Sequence, residues 1–107
     1  IISPILFAQT HFQLQIESSG TSQLLLFTDS IIGLDIGDEI GIFDNNAITN
    51  REDCSDIRDT LLVGVGVWSD EQLAISVIGS DNSTCDLESG YQIPGFVVGN
   101  PIIIKIN

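Results

Sequence analysis

The chain has 107 residues and a mass of 11.5 kDa, the size of one domain, and folding at that size buries roughly two-thirds of the unfolded surface. A hydrophobic content of 43% with a mean hydropathy of +0.32 excludes intrinsic disorder. Fifteen acidic side chains stand against only Arg51, Arg58 and Lys105, for a net charge of −12, which argues against nucleic acid or anionic lipid as partners and makes cations the natural ones.

The apolar residues are mostly aliphatic: 18 Ile, 10 Leu and 6 Val, with no Met. Ile and Val are stiff at χ1 and suit a pleated surface better than a helix. No run of 18 apolar residues occurs, so no membrane insertion is expected. In chain order, Phe12, Leu14 and Ile16 alternate with polar residues and predict a first strand; residues 18–22 read as a turn and residues 24–27 as a second strand. Residues 31–36 fit a short strand or one helical turn. Residues 39–43 predict a strand, and residues 44–59 a polar, irregular loop. The clearest strand is 61–68, with Leu61, Val63, Val65 and Val67 on one face and Leu62, Gly64, Gly66 and Trp68 on the other. Two glycines on one face leave a flat strip where another group lies close. A turn at 69–71 leads into residues 73–78, and the pair predicts an antiparallel hairpin. Residues 79–90 form a second polar loop, residues 91–98 a strand interrupted by Pro94 and Gly95, and residues 102–106 a last strand. Seven or eight short strands predict an all-β fold, an antiparallel sandwich of Ig-like or jelly-roll-like type, over residues 11–107. Residues 1–10 are expected to be an apolar extension.

Catalytic parts are scarce. His11 is the one imidazole, and neither a GxSxG elbow nor a reactive-Cys signature accompanies it. The acidic residues lie in loops without aromatic neighbours, unlike a glycosidase pair, and Gly64-Val65-Gly66 lacks the rest of a dinucleotide fingerprint. A non-enzyme is expected. Cys54 and Cys85, one in each polar loop, read as a disulfide formed in an oxidising compartment, with two separate buried thiols as the alternative. Asp44, Asn46, Asp53, Asp56, Asp81, Asp86 and Glu88 supply the hard oxygens that Ca²⁺ takes, with plain solvated loops as the alternative. Asp44-Asn45-Asn46 begins like an EF-hand loop, but Ile48 and Thr49 stand where that loop needs an oxygen ligand and a glycine. Asn82-Ser83-Thr84 matches a glycosylation sequon.

Ile1, Ile2, Ile5, Leu6 and Phe7 make the first eight residues apolar ahead of the first patterned strand. A signal-peptide tail ending near Ala8 is one reading, although Leu6 suits cleavage poorly. The others are an edge strand of the same chain, which Pro4 tolerates, or a strand donated to a neighbouring copy.

Four ordered blocks carry a resemblance: Gly37-Asp38-Glu39-Ile40-Gly41-Ile42-Phe43-Asp44; Leu62-Val63-Gly64 with Val67-Trp68; Ala74-Ile75 with Gly79 and Asp81; and Gly95-Phe96 with residues 99–105. Together they resemble a repeated extracellular β-sandwich module of bacterial secreted and surface proteins, including cargo of the type 9 secretion system. The resemblance covers about residues 11–107 and implies an extracellular or cell-surface, non-catalytic sandwich used in adhesion, display or scaffolding. It transfers no ligand-binding residues. The chain departs from the pattern in ending on Asn107 where Trp is common, in its longer Cys-bearing loop and in its apolar extension. The resulting expectation is a self-associating structural subunit of a filament, tube or sheath, joined by the N-terminal strand. The alternative is a carbohydrate-binding or adhesion module with glycans as partners, for which Trp68, Tyr91 and Phe96 are the available aromatics.

Overall fold

The structure, a computed structural model, describes residues 11–51 and 53–107. Alternating aliphatic residues dictate the architecture, which is all-β with no helix among the described residues. Strands β1 (Ser22–Phe27) and β4 (Leu73–Ile78) pair antiparallel in one sheet; β3 (Arg58–Val67), β2 (Glu39–Ile48) and β5 (Ile103–Ile106) form a second, in the order β3-β2-β5. The sheets pack face to face, an arrangement consistent with a β-sandwich. Their shared core contains Phe27 of β1, Ile40 and Ile42 of β2, Val63 of β3, Ile75 and Val77 of β4, and Trp68.

A bulge adjusts the pattern of β3. Ile42 pairs with Gly64 while Phe43 pairs with Leu62, which leaves Val63 as the extra residue. The strand therefore changes phase there. Gly64, Gly66 and Trp68 face the other sheet, and so do Val63 and Leu61, which the unbroken alternation places on the opposite face. The flat strip predicted at the glycines is filled by Ile75: a Cβ on Gly66 would lie 2.7 Å from Ile75 Cδ1, and one on Gly64 would lie 3.1 Å from Ile75 Cγ2.

The predicted hairpin of residues 61–68 and 73–78 does not form. Trp68 is completely buried, its backbone N–H donates to Asp38 O (2.9 Å), and its carbonyl accepts from Gly37 N (2.8 Å). The end of β3 thus stays tied to the entry of β2, and the chain crosses to the opposite sheet before β4 pairs with β1.

Five strands form where seven or eight are expected. Residues 11–17 keep the predicted alternation in burial, with Phe12 buried and Leu14 and Ile16 half-buried, but they join no ladder. Ile16 packs against the core, whereas Phe12 contacts Phe43 and the position of a Cβ on Gly41, on the outer face of the three-stranded sheet. Residues 31–36 form neither a strand nor a helix. Residues 91–98 make only isolated bridges, from Ile93 to Asp81, Gly95 to Ile48 and Phe96 to Gly79. The loop predicted at 44–59 is shorter than expected, because β2 continues to Ile48 through a second irregularity between Asp44 and Ala47, and β3 begins at Arg58. Ala47 and Ile48 are buried, which explains why this polar stretch stays in the sheet.

Candidate functional site

The two sheets have different widths, and the mismatch creates the principal surface feature. Ile104 pairs with Ile42 and Ile106 with Ile40, so all four side chains point to the interior face. Ile40 and Ile42 have no exposed surface, because β1 and β4 lie over the β2–β3 part of the sheet. Ile104 and Ile106 remain 49% and 45% exposed, because the opposite sheet stops at β1. At the Ile102 end, where the chain enters β5, a groove of about 290 Å³ opens, lined by Leu25, Ile42, Val63, Val77, Phe96 and Ile102 among others. Among the described residues, β1 has β4 as its one ladder partner and β5 has β2. Among those residues, neither strand has a ladder partner on its other edge.

Asp44 fixes one wall of the groove. It is buried, and its carboxylate accepts from Asn46 N (2.8 Å), Val97 N (2.9 Å) and Asn100 Nδ2, which lies 3.0 Å from each oxygen. Asn100 Nδ2 also donates to the carbonyl of Asn46, at 2.9 Å. Asp44 thereby holds residues 97–100 against the end of the three-stranded sheet. No local pattern marks Asn100 for this role, since its partner lies 56 residues away.

The other candidate residues lie in the polar loops. Cys54 and Cys85 form the expected disulfide, with Cα atoms 5.9 Å apart. Gln92, buried and absent from the sequence expectations, joins the same loops: its Oε1 accepts from Asp56 N (3.0 Å) and its N–H donates to Asp53 O (3.1 Å). The Asp53 carboxylate accepts from the Ser55 hydroxyl, Ser55 N and Asn50 Nδ2; the Ser55 hydroxyl leads in holding its pKa below the ordinary aspartate value. Asp81 is lowered likewise, first by Ser83 N at 2.8 Å and then by the Ser83 hydroxyl.

Asp56 and Asp81 line the same small depression of about 80 Å³, together with Arg58 and Gln92. Arg58 Nε lies 3.2 Å from Asp56 Oδ1, so a fixed cation already faces that carboxylate. Asn46, Asp53, Asp86 and Glu88 are exposed, as is the sequon residue Asn82. Among the described residues, no three His, Cys, Asp or Glu side chains converge in a way that holds a metal ion. His11 donates its backbone N–H to both carboxylate oxygens of Glu39, at 2.9 and 3.0 Å, and its ring packs edge-on to Phe12. Trp68 is buried and cannot serve as a sugar platform, Phe96 is half-buried, and Tyr91 is 45% exposed. The predicted assembly residues Ile1, Ile2, Ile5, Leu6 and Phe7 lie outside the described residues.

No protein-family model, curated protein or solved structure matches the chain.

Proposed function

We propose that this chain is a non-catalytic structural subunit of an extracellular assembly, joined to its neighbours by donation of its apolar segment 1–8 as a β-strand. The observation that carries this reading is the half-exposed inner face of β5. Ile104 and Ile106 point inward with nothing from the opposite sheet over them, and unpaired strand edges beside apolar surface are where an added strand docks. A strand added beside β1 would turn the two-plus-three arrangement into a three-plus-three sandwich, nearer the Ig-like or jelly-roll-like type expected. The resemblance to extracellular modules of bacterial secreted proteins supports the location, and the Cys54–Cys85 bridge is in keeping with an oxidising compartment.

The test compares the whole chain with a variant lacking residues 1–8, by sedimentation velocity and negative-stain imaging. The whole chain is expected to form oligomers or filaments and the shortened one monodisperse particles; the same state for both would sink the reading. The alternative of a carbohydrate-binding or adhesion module rests on Tyr91, the exposed Tyr, Trp or Phe among the described residues. Glycan-array binding that is lost in Tyr91→Ala would favour that alternative.

A further inference from the structure

We infer that the acceptor site for the donated strand is the slot between β1 and β5, and that its occupant is segment 1–8 of a second copy. This rests on the strand-donation reading and specifies where the strand goes. The slot has apolar walls on both of its faces. On the inner side lie Ile104, Ile106 and the groove floored by Ile42 and Val63; on the outer side Leu24 and Leu26 of β1 are 58% and 56% exposed. A strand added to the free edge of β1 would send alternate side chains to these two sides.

Segment 1–8 has the matching composition. Ile1, Ile5 and Phe7 fall on one face of an extended chain, and Ile2, Leu6 and Ala8 on the other. Most strands of a half-solvated sheet are apolar on one face only. Residues 1–10 carry no charge. Among the described residues, the one carboxylate lining the groove, that of Asp44, is already held by Asn46, Val97 and Asn100, so it does not oppose an apolar guest. Eight residues extend about 27 Å at 3.3–3.4 Å each, more than the six residues of β1 require.

The position of His11 favours a second copy over the same chain. His11 and Phe12 lie on the outer face of the three-stranded sheet, at Glu39 and Phe43. The chain then crosses to the interior, where Ile16 meets the core. For its own segment to fill the slot, the chain would have to make that crossing a second time, in the opposite sense. A neighbour's segment enters without it.

The experiment uses the full chain with Ile104→Lys, which spoils the acceptor at an exposed position, and Ile5→Asp, which spoils the donor. Circular dichroism and melting temperature first establish that each variant folds, with Leu24→Lys as a second acceptor variant should Ile104→Lys fail to fold. Each variant alone is expected to be monomeric. An equimolar mixture is expected to give a 1:1 dimer, since each variant retains the half that the other lacks. Added at one part in ten to the unsubstituted chain, Ile104→Lys is expected to shorten the assemblies, because it donates a strand and accepts none. If both acceptor variants assemble like the unsubstituted chain while Ile5→Asp does not, strand donation stands and this acceptor site is overturned. If the unsubstituted chain is itself monomeric, the strand-donation reading is overturned; lower melting temperatures in both variants would then identify the chain's own segment as the occupant.

Discussion

Ile75 Cδ1 lies 2.7 Å from the point a Cβ would occupy on Gly66, and Ile75 Cγ1 lies 2.9 Å from it. The two sheets meet here at a distance that only a hydrogen on β3 permits. Ile75 is itself 1% exposed, so it has little room to retreat. Gly66→Ala is expected to cost about 1–3 kcal/mol by overpacking, measured by urea unfolding. Ile75→Val removes the nearest methyl group and alone costs about 0.5–1.5 kcal/mol. The double variant should be more stable than the sum of the two losses, and strict additivity would show that the contact is not the cause.

Asp44 and Asn100 supply the second prediction. Asn100→Ala removes the donor that reaches both carboxylate oxygens of a buried aspartate. A hydrogen bond to a charged group contributes about 1.5–3 kcal/mol, and the unfolding free energy should fall by an amount in that range. Hydrogen exchange at Val97 N, which donates to the same carboxylate, should accelerate in this variant.

The disulfide closes a separation of 31 residues. Replacing both Cys54 and Cys85 by Ser should lower stability by about 3–4 kcal/mol on the chain-entropy account. Mass spectrometry of the unreduced protein in denaturant should find no thiol available for alkylation.

Asp53 and Asp81 make stability depend on pH. Their folded-state values lie below the ordinary one, through Ser55 and Ser83 respectively. The contribution is therefore fully present above the unfolded value of about 3.9, and is lost as pH falls through the lowered folded value. Carboxyl ¹³C titration should place both midpoints below that of a model peptide. Ser55→Ala should raise the Asp53 midpoint and leave that of Asp81 in place.

Self-association should respond to salt. Each copy carries −12, while the proposed slot and its guest are apolar. Raising ionic strength from about 0.01 to 0.1 M shortens the Debye length from about 30 to 10 Å and weakens repulsion between copies. Larger oligomers at higher salt are expected in sedimentation velocity. Dissociation by salt would indicate a charge-mediated contact instead.

Much of the fold was legible because aliphatic alternation reports burial directly. It located the hydrophobic parts of β1, β3, β4 and β5, the first half of β2 and the alternating exposure of residues 11–17, but not Ala47 and Ile48, whose polar neighbours read as loop. It could not report strand partners. The 61–68 and 73–78 pair looked like a hairpin because a short polar link joins them, whereas the burial of Trp68 and its bonds to Gly37 and Asp38 decide otherwise. Nor does a period-two pattern reveal where its own phase breaks, as at Val63. In the site, the cysteine pairing was readable from count and location. The role of Asp44 was not: a carboxylate serving backbone and amide N–H groups looks, in one dimension, the same as one awaiting a cation.

The bridge between Cys54 and Cys85 has a mechanical consequence. The covalent ring encloses all of β3 and β4, one strand from each sheet, while β1, β2 and β5 lie outside it. Tension applied through the chain ends can peel away the three outer strands, but it cannot extend the enclosed segment while the bridge is intact. A pulled chain should stop short of its reduced contour length by about 100 Å, at roughly 3.3–3.6 Å for each enclosed residue. A subunit placed in series within a filament would thus yield by a bounded amount and then hold on a covalent link.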